Sequence, residues 1–313
     1  LSLPFNTHQQ GKTMKILKKT LGACLLPLVL AAGTQANDHF DSVEVKAIPV
    51  TEGIYMLMGE GGNIGVSIGD DGTFAIDDQY AEMSSKITAA IKQLSGETPK
   101  FLVNTHWHGD HAGGNEHFGK HGSIIVAHEN VRESLKVEKS IKLFNMHKPP
   151  SPKEALPVVT FQREMSLHLN GDDIRLLHVA NAHTDGDAIV YFTKANVIHA
   201  GDTFFNGFYP FIDVDSGGGI AGMIAACDTV LALANDKTKI MPGHGPLATK
   251  ADLVAFRDML AKAQANIQAL IDAGKNEAEI IAAKPLAELD KEWGDGFLPS
   301  DMWVKIVYSG MVK

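Results

Sequence analysis

Phe101-Leu102-Val103-Asn104-Thr105-His106-Trp107-His108-Gly109-Asp110-His111 is the stretch on which the reading of this chain turns. Phe101 to Thr105 reads as a short buried strand that runs straight into a cluster of metal-ligand side chains. Side chains alternate along an extended segment, so His106 and His108 share one face. Asp110 and His111 then turn toward a helix start at Ala112-Gly113-Gly114. The loop at a strand's carboxyl end is where α/β folds place their sites. Three more residues occupy the same kind of place: His183 after the run 173–182, Asp202 after 196–201, and His244 in Met241-Pro242-Gly243-His244-Gly245.

Working outward, residues 43–48, 53–58, 63–69 and 73–77 alternate or run apolar between glycine and aspartate punctuation, as strands of a meander do. Residues 80–95 carry Met83, Ile87, Ile91 and Leu94 at helical spacing, and 123–127 is another strand. The pattern fades between Leu135 and Pro157, the proline-rich part of the chain, which reads as a surface loop. A second series follows: strands at 164–169, 173–179, 188–192 and 196–200, a helix over 218–235, a strand at 238–241, and helices near 250–273 and 276–283. Both halves place strands first and βα units second, with no break in composition. The expectation is a mixed α/β domain over 37–313, two stacked sheets with helices outside.

The 313 residues are 44% hydrophobic and 21% charged, which is globular composition. Formal charge is −9, and the lysines at 12, 15, 18 and 19 all precede Asn37 in a stretch without acids. The remainder, with 24 basic against 37 acidic residues, favours neither nucleic acid nor an anionic membrane surface. A small-molecule substrate is expected, and oligomeric state is not encoded in any feature of the sequence.

Residues 14–36 read as a secretory signal: lysines, an apolar run from Leu21 to Ala32, then the small residue Ala36. About 12 apolar residues fall short of the roughly 20 that a transmembrane helix needs. Cys24 does not make a lipidation box, because the apolar run follows it. Residues 1–13 read as an upstream stretch. The expected exported chain begins near Asn37, is periplasmic or secreted, and keeps Cys227 as its one thiol, in an apolar helix where it reads as a buried small residue.

His-x-His-x-Asp-His, then His183, then Gly201-Asp202, then Gly243-His244-Gly245, resembles the metallo-β-lactamase superfamily over essentially all of 37–313. The resemblance implies a four-layer αββα sandwich of two similar halves, with a dinuclear metal site at the seam. It implies that His106, His108 and His183 bind a first metal, that Asp110, His111 and His244 bind a second, and that Asp202 bridges them. Two zinc ions are expected, with iron or manganese as alternatives. Asp202 departs from the best-known true β-lactamases of the family, which carry a cysteine or a non-ligand there. It looks like the glyoxalase II, lactonase and phosphodiesterase branches instead.

From such a ligand set, zinc lowers the pKa of a bound water to about 7, and the resulting hydroxide opens a cyclic amide or ester, a β-lactam or a lactone. Asp110 is positioned to orient that nucleophile and carry its proton. A glyoxalase II-like thioesterase and an iron-dependent sulfur dioxygenase remain alternatives. The resemblance also gives Asp77 or Asp78 a supporting place behind the ligands, and Asp187 reads either the same way or as a loop acid. The loop 58–63 is expected to flex over the site. In the aromatic loop 203–213, Phe204, Phe205, Phe208, Tyr209 and Phe211 either line an apolar pocket or pack the loop, and Asn206 is the candidate oxyanion donor. His168, His178 and His199 read as structural.

Overall fold

The computed structural model describes residues 35–313, so the expected signal lies outside the described residues except for its last two positions. A short helix, α1 (Gln35–Ser42), precedes the first sheet. That sheet holds β1 (Lys46–Thr51), β2 (Ile54–Met58), β3 (Ile64–Gly69), β4 (Gly72–Ile76), β5 (Phe101–Val103), β6 (Ile124–His128) and β9 (Val159–Phe161), side by side in that order. The second sheet runs β10 (Glu164–Leu169), β11 (Asp172–His178), β12 (Ala188–Phe192), β13 (Val197–Phe205) and β14 (Lys239–His244). Each sheet begins as an antiparallel meander and ends in parallel pairs, β4 through β9 in the first and β13 with β14 in the second. Helical segments supply the parallel crossovers: α2 (Ser84–Ser95), α3 (Gly109–Ala112), α4 (Asn115–Lys120) and α5 (Glu129–Lys136), then α6 (Ile220–Leu233). The chain closes with α7 (Lys250–Asp272), α8 (Glu277–Ala282), α9 (Asp290–Trp293) and α10 (Ser300–Met311).

The two-residue period of the strands divides their side chains between successive core clusters. Leu57, Val66, Ala75 and Leu102 point from the first sheet to Ile87, Ile91 and Phe118 of its helices. Met56, Phe74, Ile76 and Val103 point the other way, onto Ile174, Leu176, Val190 and Phe192 of the second sheet. The far face of the second sheet, with Ile189, Ile198 and Ile240, meets Met223, Phe256, Leu260 and Trp303 from α6, α7 and α10. α7 is started by a capping box in which Thr249 and Asp252 satisfy each other's backbone N–H.

Two stretches depart from expectation. Residues 135–157 are not simply loop: β7 (Lys139–Ile141) and β8 (Met146–Lys148) form an antiparallel hairpin. Its strands are three residues each and carry Lys, Ser and His, so no apolar alternation announces them. α10, at the end of the chain, was likewise not expected, yet Trp303, Val304 and Val307 bury it against the second sheet's helices. No helix among the described residues is long and apolar enough to cross a membrane.

Candidate metal centre

The seven residues singled out by the sequence come together at the carboxyl ends of the central strands. His106, His108, His183 and Asp202 form one group of converging donor atoms, and Asp110, His111 and His244 form a second. β5 delivers the segment with His106 and His108, and α3 turns Asp110 and His111 inward. His183 sits in the loop after β11, while β13 and β14 contribute Asp202 and His244.

Asp202 stands between the groups. Its Oδ2 lies 3.4 Å from His183 Nε2 and 3.8 Å from His106 Nε2. Its Oδ1 lies 2.9 Å from His111 Nε2 and 3.5 Å from His244 Nε2. Asp110 Oδ2 is 3.3 Å from His244 Nε2. Close glycines allow this crowding: a Cβ at Gly243 would overlap Asp202 Oδ1, and one at Gly62 would overlap the His111 ring.

Three of the five rings are held from behind by a carboxylate or a carbonyl. His183 Nδ1 donates to the Phe211 carbonyl at 2.8 Å, and His108 Nε2 donates to Asp213 Oδ2 at 2.9 Å. His183 Nε2 and His108 Nδ1 are left facing each other at 2.8 Å, two nitrogen lone pairs that a cation would reconcile. His111 Nδ1 donates to Asp77 Oδ2 at 2.8 Å. His106 Nε2 is buried with no hydrogen-bond partner, and so is Asp202 Oδ1, whose short approach to His111 is poorly aligned. Orphaned buried donors of this nitrogen–oxygen type fit metal ions, and carboxylates behind ligating histidines are the usual outer support.

The charges agree. Burial lowers His106 well below the ordinary histidine value and brings His183 down to about 4, which leaves both neutral and able to ligate. Burial pulls His244 down too, but the carboxylates of Asp202 and Asp110 overcome it and raise it to about 9. Burial would raise Asp110, yet His111 and His244 hold it at about 2. Asp202, ringed by histidines, is held well below the carboxylate range despite its burial.

Asp77 takes the supporting place expected of it. Asp78 does something else: it accepts from Gly114 N at 2.9 Å, and burial raises its carboxyl strongly. Asp187 accepts from the Thr184 N–H and hydroxyl, bracing the turn after His183, and burial raises it to about 8. His199 is structural, donating to the Asn63 carbonyl at 3.0 Å. Cys227 is buried, and its thiol is pushed up by that burial. The role of Asp213 was not foreseen; it ends the aromatic loop without any spacing signal.

Two expectations are corrected. The Asn206 side chain donates to the Pro246 carbonyl at 3.0 Å and does not line the cavity beside the metal centre, so it braces the His244 loop rather than offering an oxyanion bond. The loop 58–63 is pinned, not free. Asn63 Nδ2 donates to the Pro242 and Gly245 carbonyls, and Gln79 Nε2 donates to that of Gly62. Only Glu60 and Gly61 reach the cavity from the middle of that loop.

The aromatic loop divides its rings. Phe204 packs on Phe256, and Tyr209 stacks on Trp303, both in the core. Phe205, Phe208 and Phe211 line a cavity of 410 Å³ that opens onto His108, Asp110, Asp202 and His244. Tyr80, Ile141, Phe144, Met146 and Phe297 complete its walls, the middle three contributed by the β7–β8 hairpin.

Comparison with known proteins agrees with this architecture. The DIM-1 metallo-beta-lactamase superposes with a TM-score of 0.58 at 18% identity, over 71% of this chain and 99% of that one. A metallo-beta-lactamase from Pontibacter korlensis gives 0.57 at 16%, over 70% and 99%. The stereoselective inverting sec-alkylsulfatase Pisa1 from Pseudomonas sp. gives 0.62 at 19%, over 85% of this chain but 50% of that longer one. No curated protein sequence matches. At these identities the structures share the fold alone. The sequence profile of the Metallo-beta-lactamase superfamily, however, matches residues 70–253, a span that holds every donor of the metal centre, and the chain therefore belongs to that superfamily.

Proposed function

We propose that this protein is a two-metal hydrolase, zinc-loaded, that opens cyclic esters in preference to β-lactams. The observation that carries the reading is Asp202, with one carboxylate oxygen turned to His106 and His183 and the other to His111 and His244. A carboxylate shared in that way suits two ions. Five imidazoles and two carboxylates, with no thiolate, suit zinc and also admit iron or manganese.

When bound, the metals would supply Lewis acidity and acidify a water to a nucleophile near neutral pH. The chain's own residues do the rest. Asp110 is a carboxylate at working pH, faces the cavity, and is the group available to orient the nucleophile and take its proton. Asp77, Asp213 and the Phe211 carbonyl fix which nitrogen His111, His108 and His183 present. The Phe rings keep bulk water off one side of the reacting carbonyl. A lactam nitrogen is a poorer leaving group than an ester oxygen, so an ester would demand less help from a metal held by the second group of donors.

The test is elemental analysis of purified protein followed by a panel of lactones, activated esters, thioesters and a chromogenic cephalosporin. Two metals per chain, with lactone or ester kcat/KM above that for the cephalosporin, is the expected outcome. Efficient cephalosporin turnover with no ester or lactone cleavage would overturn the ranking. Faster thioesters would move the reading to a thioesterase, and iron with oxygen uptake would move it to a dioxygenase. Export is part of the same proposal, supported by the basic, apolar, small order of residues 14–36.

A further inference from the structure

We propose that the cavity beside the metal centre selects its substrate by an uncharged apolar arm, an alkyl or aryl group carried on the acyl side of the scissile bond, and turns away substrates that end in a carboxylate there. The inference rests on the hydrolase reading for its kinetics but not for its binding.

Five phenylalanine rings, at 144, 205, 208, 211 and 297, line one cavity. They are mutually arranged: Phe144 lies 5.0 Å from Phe211, Phe205 lies 5.7 Å from Phe208, and Phe208 lies 6.1 Å from Phe297. The wall continues to the metal centre itself, where Phe205 stacks on His244 at 5.0 Å. Phe144 and Phe297 remain 36% and 55% exposed at its outer end, with Met146 at 47%. Three large apolar side chains left open beside one another and joined to a reactive centre mark a binding surface more than a packing defect. The volume of 410 Å³ falls within the range of small-molecule pockets.

Charge narrows the occupant. Among the described residues, the walls include the acids Glu60, Asp110 and Asp202 and no lysine or arginine. The nearby lysines face elsewhere: Lys142 pairs with Asp215 at 3.7 Å, and Lys139 lies over Trp107. The positive charge of bound metals would attend the scissile bond. An anion at the far end of a substrate therefore meets ring faces, which carry negative quadrupole, and the Glu60 carboxylate. A neutral apolar arm loses only its hydration.

The experiment uses zinc-loaded protein and p-nitrophenyl acetate, butyrate and octanoate. It adds two octanoate-length esters ending in a carboxylate or an ammonium. kcat/KM should climb by up to about fourfold per added methylene, the value of burying a CH₂, and the carboxylate-ended ester should fall back toward acetate. In Phe144→Ala/Phe297→Ala the octanoate-to-acetate ratio should drop fivefold or more with metal content unchanged. Phe297→Lys should raise the rate for the carboxylate-ended ester relative to octanoate. A flat dependence on chain length, a carboxylate-ended ester as fast as octanoate, or an ammonium-ended ester faster than it would overturn the proposal. If no ester is cleaved, the hydrolase reading fails and binding decides: calorimetry should show octanamide binding, weakened by the double substitution, and binding of the carboxylate-ended amide with equal affinity would overturn it.

Discussion

Asp77 accepts a hydrogen bond from His111 Nδ1 at 2.8 Å while its other oxygen accepts from the Thr105 N–H at 2.7 Å. One carboxylate, held at the end of β4 in a left-handed conformation of φ 63°, thus fixes both the ring of one ligand and the backbone just before another. Asp77→Ala should lower metal affinity about 10- to 100-fold. Competition with a chromogenic chelator measures this, and wild-type affinity in the variant would show that Asp77 only fills space.

Asp110→Asn removes one of the carboxylates that line the cavity. Activity toward ester, lactone and β-lactam should fall by similar factors, on the order of 10²–10⁴. Metal content is measured alongside, because Asp110 is also one of the second group of donors. A loss confined to one substrate class would separate the mechanisms.

At Gly62 a methyl group would collide with the His111 ring, while the Gly62 N–H donates to the Asp110 carbonyl at 3.0 Å. Gly62→Ala should cost about 1–3 kcal/mol of stability, as overpacking does, and deplete metal from the second group first. Equilibrium denaturation and metal stoichiometry check both halves of that expectation.

In the metal-free protein His244 titrates near 9, because Asp202 and Asp110 outweigh its burial, and His111 is raised for the same reason. A raised value stabilises the fold fully below the ordinary histidine pKa of about 6.5, and for His244 that stabilisation is lost as pH rises through 9. His183, lowered to about 4, runs oppositely: its contribution is present above 6.5 and is lost as pH falls through 4. Metal uptake must expel the protons on His111 and His244, about two per chain at neutral pH, and the number should decline as pH passes 9. Calorimetric titration in buffers of different ionisation enthalpy counts them; a constant count from neutral to alkaline pH would contradict the assignment.

Mass spectrometry of protein recovered from the periplasm or the medium should find a chain starting near Asn37. An intact Met14 terminus would show that the stretch 14–36 is not removed.

The donors were legible because ligand side chains at strand ends are dense and ordered: His106 to His111 lie within six residues, and His183, Asp202 and His244 each follow a strand. Asp213 was not, since its role exists only through His108, 105 positions away. Phe144 and Phe297 were missed for the same reason, being brought to the cavity by a hairpin and a terminal loop with no pattern of their own. Phe204 and Phe205 are adjacent in sequence, yet strand alternation sends one to the core and the other to the site. Asn206 illustrates the reverse: a residue of suitable chemistry in a suitable loop, spent on a neighbouring carbonyl.

The metal centre draws His106, His108, Asp110 and His111 from the first sheet's half of the chain, and His183, Asp202 and His244 from the second's. Only Gln162 and Arg163 separate the last strand of one sheet from the first strand of the other. A nascent chain therefore cannot complete the first group of donors until residue 202 has been made, nor the second until residue 244, and neither before the two halves have docked. Metal capture would then be a late event in the life of the molecule, and a misdocked chain would be left metal-poor. Bound ions would act as a check on assembly before taking any part in chemistry.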